Sequence, residues 1–186
     1  MRRTGGPSGD GPSRVTSRVG IWVSLSVLTR LGKHLLIGPM QMINLPLVFT
    51  MLAGYFDGVL VGFTVGFLSF LISDSFLGIG LWTFVDGFIA GLIGSLVSIL
   101  KGMANSKRIL LVLSYLLTLS YDILTSWILY MAFGLTPLHS LIVGITGLFL
   151  PAGGGSAFMI GPITEVLTAL SFSLLVTELK GRKFSN

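Results

Sequence analysis

Arg30, Lys33, His34, Asp74, Asp86, Asp122 and Glu165 interrupt or border runs of residues that otherwise belong in lipid. An ionisable side chain at membrane depth is costly, and where one occurs it faces a protein interior or an aqueous cavity. Arg30, Lys33, His34 and Ile37 follow an i, i+3, i+4, i+7 spacing, which lines them along one helix face. Cations and carboxylates around one cavity pair with each other when it is empty. They can then bind a zwitterionic or hydrogen-bonding solute. The expected chemistry is therefore capture of a polar solute.

Other chemistries lack their residues. No glycine-rich loop leads into Lys-Ser/Thr, so nucleotide hydrolysis is not expected of this chain. Ser, His and Asp occur without a nucleophile elbow, and the chain is not expected to be an enzyme. There is no cysteine, and the two histidines, His34 and His139, lack metal-ligand spacing. No metal and no cofactor are expected. The net charge is +5, but no basic stripe interleaves with aromatics, which argues against nucleic acid.

The elements that must hold the ionisable groups are membrane helices. Hydrophobic residues make up 52% of the chain and charged ones 10%, against about 25% charged in a soluble domain. Residues 1–13 are rich in Gly, Pro and Ser and read as a disordered cytoplasmic tail, with 14–186 a single membrane domain. Six spans are expected, over Arg18–Ile37, Met42–Phe56, Gly58–Phe76, Trp82–Leu100, Ile109–Phe133 and Phe158–Leu179. The stretch Pro137–Leu150 is apolar but short, and Pro151 and Gly153–Gly155 end it; it reads as a re-entrant or interfacial helix, or an outer continuation of the fifth span. The expected fold is an all-α integral membrane protein, a six-transmembrane-helix bundle with that extra helix.

Charge orients the bundle. Arg2, Arg3, Arg14 and Arg18 precede the first span; Lys101, Lys107 and Arg108 lie between the fourth and fifth; Lys180, Arg182 and Lys183 follow the last. Six crossings put all three clusters on one side, the cytoplasmic one, with both termini there, in a multi-pass protein of the cell membrane. Arg30 and Lys33 break this pattern toward the outer end of the first span. The same map places Gln41, Asn44, Asp74, Trp82, Asp86, Asp122, Trp127, His139 and Glu165 in the outer half. Arg30, Lys33, Asn44, Asp74, Trp82, Asp86, Asp122, Trp127, His139 and Glu165 are thus the candidate binding residues. Several also have structural readings: Lys33 reaching the headgroups, Trp82 in the aromatic belt, Asp74 capping a span, Glu165 serving the first turn after Pro162. Asp57, in Phe56-Asp57-Gly58, reads as turn chemistry.

Small residues set the packing. Gly58, Gly62 and Gly66 recur every fourth residue, as Gly87, Gly91 and Gly94 nearly do, so spans three and four should approach closely. Thr16, Gly20 and Ser24 form another small face, at the cytoplasmic end of span one, that could dock a second protein.

The order of motifs from Arg18 to Lys101 resembles a known family. A small-faced helix ends in Leu28-Thr29-Arg30-Leu31, followed by a Pro-containing loop and Leu-Val-Phe-Thr-Met-Leu-Ala-Gly-Tyr-Phe-Asp-Gly over 47–58. Then come Gly62-Phe-Thr-Val-Gly66, Ser73-Asp74 and Gly78-Ile-Gly80-Leu-Trp82-Thr83. This resembles the substrate-binding S component of an energy-coupling factor (ECF) transporter, of the micronutrient (cobalamin and queuosine-precursor) type. The resemblance implies six helices, an outward-facing site for a vitamin or related micronutrient, a transmembrane coupling subunit docked at Gly20 and Ser24, and two separate ATPase subunits. One departure bears on the ligand: where that pattern has Pro and then Gln after Trp-Thr, this chain has Phe84 and Asp86. Two other readings stand beside it, an ion-coupled secondary carrier with Asp86, Asp122 or Glu165 as proton sites, and a membrane enzyme acting on a lipid-linked substrate.

Overall fold

The computed structural model describes residues 11–37, 42–104, 106–149 and 160–183. Residues 1–10 of the expected tail, Gln41 and Gly153–Gly155 lie outside them. The described residues form seven α-helices and no strand: α1 (Pro12–Ile37), α2 (Leu45–Asp57), α3 (Val59–Leu77), α4 (Leu81–Leu100), α5 (Lys107–Ala132), α6 (Pro137–Leu148) and α7 (Ile160–Lys183). A 3₁₀ turn, Lys101–Met103, closes α4. Helix α1 starts earlier than expected, with Pro12 and Ser13 already helical. Proline suits a first helical turn because the N–H it lacks would be unpaired there anyway.

Four helices, α3, α4, α5 and α7, are long and apolar enough to cross a membrane. Their outward side chains agree: Leu60, Phe76, Ile99, Val112, Leu116 and Leu174 are exposed and apolar. A surface of that kind needs lipid rather than water around it. The protein is therefore an all-helical, multi-pass type of membrane chain. Helices α2 and α6 are apolar but have 13 and 12 residues, about 20 and 18 Å of helix, short of a bilayer core of about 30 Å. Helix α1 has 26 residues and is more polar.

Helix α2 is the centre of the bundle. Leu47, Val48, Met51, Leu52 and Ala53 are fully buried, and α1, α3, α4 and α7 pack around it. A single residue, Gly58, turns the chain from α2 into α3 at φ 102°, a conformation that favours glycine. Gly58 was expected in the small-residue seam. It touches nothing within 4 Å of where a Cβ would sit, so its role is the turn.

The other glycines of the two stripes do build the α3–α4 seam. A Cβ on Gly94 would stand 2.7 Å from the Gly62 carbonyl oxygen and 2.8 Å from a Thr50 methyl, and one on Gly91 would stand 2.8 Å from the Phe63 carbonyl oxygen. Gly62 and Gly66 press equally closely on the α4 backbone, and Gly87 lies against Phe67. Gly54 of α2 meets Gly94 in the same way, so the seam joins three helices. Hydroxyls inside the bundle are satisfied largely within their own helices: Thr50, Ser73, Thr118 and Thr125 donate to the carbonyl four residues back. Helices α5, α6 and α7 pack on one another, with α4 and α2 joining them to the glycine-seamed half.

Candidate functional site

Arg30 of α1 anchors the polar end of the bundle. Its guanidinium pairs with Asp74 Oδ1 of α3 at 2.8 Å, donates to Ser73 Oγ, and lies 4.7 Å from the centre of the Phe70 ring. The side chains are 12% and 2% exposed, so this is an interior pair. The seam positions it: Ser73 and Asp74 end the helix whose lower part is locked against α4. Asp86 follows on α4, within charge range of Arg30 and Asp74. Asp122 on α5 is within range of Asp86 and, more strongly, of Glu165 on α7. Arg30, Asp74, Asp86, Asp122 and Glu165 thus run through one end of the molecule across five helices.

Tyr121 sits in the middle. It is buried, its ring lies 6.2 Å from that of Phe70, its charge neighbours are Asp86, Asp122 and Arg30, and its hydroxyl is within reach of the Asn44 side chain. Asn44 caps α2: its Oδ1 accepts from Leu47 N at 3.2 Å, and its own N–H donates to Thr168 Oγ1 of α7 at 2.9 Å. Thr168 lies one turn along α7 from Glu165, so Glu165 sits above the start of α2 on the same face. Glu165 is 1% exposed; the Tyr115 hydroxyl reaches it, yet Oε1 has no hydrogen-bond partner. Asp74 Oδ2 is buried without one as well. Among the described residues, Asp86, Asp122 and Glu165 form no ion pair.

No family model, curated protein or solved structure matches this chain. The geometry alone therefore sorts the sequence candidates. Arg30, Asn44, Asp74, Asp86, Asp122 and Glu165 come together. Lys33 lies beside Arg30 and donates to the Ile43 carbonyl at 3.0 Å, which holds the chain entering α2. Trp82 is half exposed, on the first turn of α4. Trp127 donates to the Pro137 carbonyl at 3.0 Å, and His139, exposed, pairs with Thr136 Oγ1 at 2.7 Å. Those two bonds brace the α5–α6 turn, and neither residue belongs to the carboxylate row. Among the described residues no group of three His, Cys, Asp or Glu could hold a metal ion.

Sequence reasoning missed Tyr121, Ser73 and Phe70. It also misread Asp57, which accepts from Trp22 Nε1 at 2.6 Å and pairs with Arg18 at 3.3 Å, at the opposite end of the bundle. Lys101 donates to the Tyr55 carbonyl at that end, and the Lys180 ammonium lies 4.9 Å from the Tyr55 ring centre. Thr16, Gly20 and Ser24 are all exposed, and nothing lies within 4 Å of a Cβ built on Gly20. An apolar groove of about 320 Å³ between α5 and α7 is lined by Leu111, Val112, Tyr115, Val166, Ala169 and Leu170.

Proposed function

We propose that this chain is the solute-binding subunit of an ECF-type importer, a six-span protein with its polar end outside and both termini in the cytoplasm. In this reading α1 and α2 count as spans and α6 as an outer helix. The chain takes a vitamin-like micronutrient at the Arg30–Glu165 row and delivers it through a transmembrane coupling subunit driven by two ATPases. One observation carries the reading: five helices bring charged side chains to one interior end, and two buried carboxylate oxygens there lack partners. A bundle that only had to be stable would do as well with apolar residues in those places. The exposed Thr16–Gly20–Ser24 face supports the docking role.

The test is uptake by cells expressing the chain with and without an ECF coupling subunit and its ATPases. Accumulation of a co-purifying solute should require all partners and survive dissipation of the proton gradient. Replacing Gly20 and Ser24 together by Leu should abolish accumulation and pull-down of the coupling subunit, while solute binding to the isolated chain persists.

A second reading, the ion-coupled carrier, is favoured by the unbroken sequence Asp86, Asp122, Glu165 across α4, α5 and α7. It requires uptake without ATPases and loss of uptake when the proton gradient collapses.

A further inference from the structure

The end of the bundle away from Arg30 holds a pocket of about 190 Å³, lined by the start of α5, the end of α7 and Tyr55 of α2. Lys107, Lys180 and Ser106 give it a polar lining, and buried Leu110 and Val176 give it an apolar wall. Among the described residues no carboxylate lines it. Asp57, at the same end, is held by Arg18 and Trp22, and Glu178 is exposed on α7 outside the lining.

The two lysines are open to a ligand. Lys101 is engaged with the Tyr55 carbonyl, but among the described residues the Lys107 ammonium has no ion pair or hydrogen bond. The Lys180 ammonium has only its contact with the Tyr55 ring, which leaves its N–H donors without an acceptor atom. Ser106 Oγ accepts from Ile109 N at 3.2 Å, so its O–H is left to donate. Ser106 and Lys107 are also the cap and the first residue of the 26-residue α5, whose dipole adds positive potential at the same place. Two ammonium groups, a hydroxyl donor and a helix amino end, with no carboxylate against them, make a site for a phosphate-like anion.

The pocket also lies at a definite depth. The apolar span of α5 starts at Lys107, and that of α7 ends at Gly181, next to Lys180. Both lysines therefore stand where spans leave the hydrocarbon, at the level of lipid headgroups. Met103 and Ile109, close by in the chain, are exposed and apolar. The volume is below the roughly 300 Å³ at which pockets take a whole small molecule, but it suits a headgroup whose chains stay outside. We infer that this pocket seats a phosphate group, supplied by the headgroup of an acidic phospholipid. A zwitterionic headgroup fits less well, because its own cation meets two lysines and no carboxylate. The site is independent of what binds at the Arg30 end.

The full chain, purified in neutral detergent, is titrated with phosphatidylglycerol, with phosphatidylcholine of the same chains, and with glycerol 3-phosphate. Native mass spectrometry counts the bound molecules. Phosphatidylglycerol is expected to bind at least about tenfold more tightly than either of the others. Lys107→Gln and Lys180→Gln should each weaken it about 10- to 100-fold, the loss of a hydrogen bond from a charged group. Arg108→Gln removes the same charge one residue away, outside the lining, and should weaken it no more than about fivefold, the general attraction of a basic residue to an acidic surface. All three side chains are exposed, and the variants are compared once they elute as wild type. Phosphatidylcholine binding as tightly as phosphatidylglycerol overturns the recognition of an acidic headgroup. Glycerol 3-phosphate binding as tightly overturns the lipid source and leaves a site for a soluble phosphate. Undiminished affinity in both lysine variants, or an equal loss in Arg108→Gln, overturns the placement in this pocket.

Discussion

Helix α1 is fastened to the bundle twice, by the same pair of residue types, in opposite settings. Toward one end Arg18 meets Asp57 at 3.3 Å with side chains 42% and 14% exposed; toward the other, Arg30 meets Asp74 at 2.8 Å with 12% and 2%. The two arginines are twelve residues apart, about 18 Å along the helix. At the exposed end solvent weakens the attraction, and the pair is one contact among several with Trp22, Lys101 and Tyr55. At the interior end the attraction is strong and so is the cost of losing either partner. Identical chemistry therefore fastens at one end and sets up a charge balance at the other.

The largest effect expected is from Arg30→Met. It leaves Asp74 and Asp86 near each other with no cation, and should lower stability by about 3–5 kcal/mol, read as a drop in Tm of the purified protein. Asp74→Asn should cost clearly less, because Asp86 remains within range to partner Arg30. Equal losses in the two variants would show that Asp86 does not share the arginine.

At the other end, Asp57→Ala removes both the Arg18 pair and the Trp22 hydrogen bond, and should cost about 1–2 kcal/mol. Asp57→Asn keeps an acceptor for Trp22 and should stay within about 1 kcal/mol of wild type. A larger loss for Asp57→Asn than for Asp74→Asn would reverse the contrast between the two ends.

The smallest perturbation tests which ends face which side. Ser106 and Thr136 each precede a helix and are exposed, the first near Lys107 and the second beyond α5. In intact cells an impermeant thiol reagent should label Thr136→Cys and spare Ser106→Cys, at a cost of about 1 kcal/mol in the second, whose hydroxyl caps α5. Ser140, in the first turn of α6, is fully buried and would report nothing. Labelling of Ser106→Cys without permeabilisation would remove the cytoplasmic assignment of that end.

The contrast also shows what the sequence makes legible. Helices announce themselves because an apolar run has one solution in lipid, backbone hydrogen bonds closed within the segment. The α3–α4 contact was readable because glycine at every fourth position leaves a visible mark along one strip of helix. Arg30, Asp74 and Asp86 stood out because charge is rare there. Their partners did not. Tyr121, Phe70 and Ser73 are ordinary residues on apolar helices, and what brings them to Arg30 is packing between helices far apart in the chain. Asp57 failed for the converse reason: a turn explains an Asp beside a Gly so well that its reach back to Arg18 and Trp22 left no local trace. Trp127 and His139 looked like pocket residues on depth alone, while their polar atoms are taken by Pro137 and Thr136 nearby.

The brevity of α2 has a consequence for passage across the membrane. Helix α2 ends and α3 begins at the Gly58 turn, and α3 is six residues longer, so measured from that turn α2 reaches about 9 Å less far than its neighbour. Its stopping point is the Asn44 cap, under Tyr121 and Thr168. In the proposed importer, a solute resting against that cap would already have travelled about 9 Å of a hydrocarbon core of about 30 Å, and the distance left for a moving part to cover would be the 13-residue length of one buried helix.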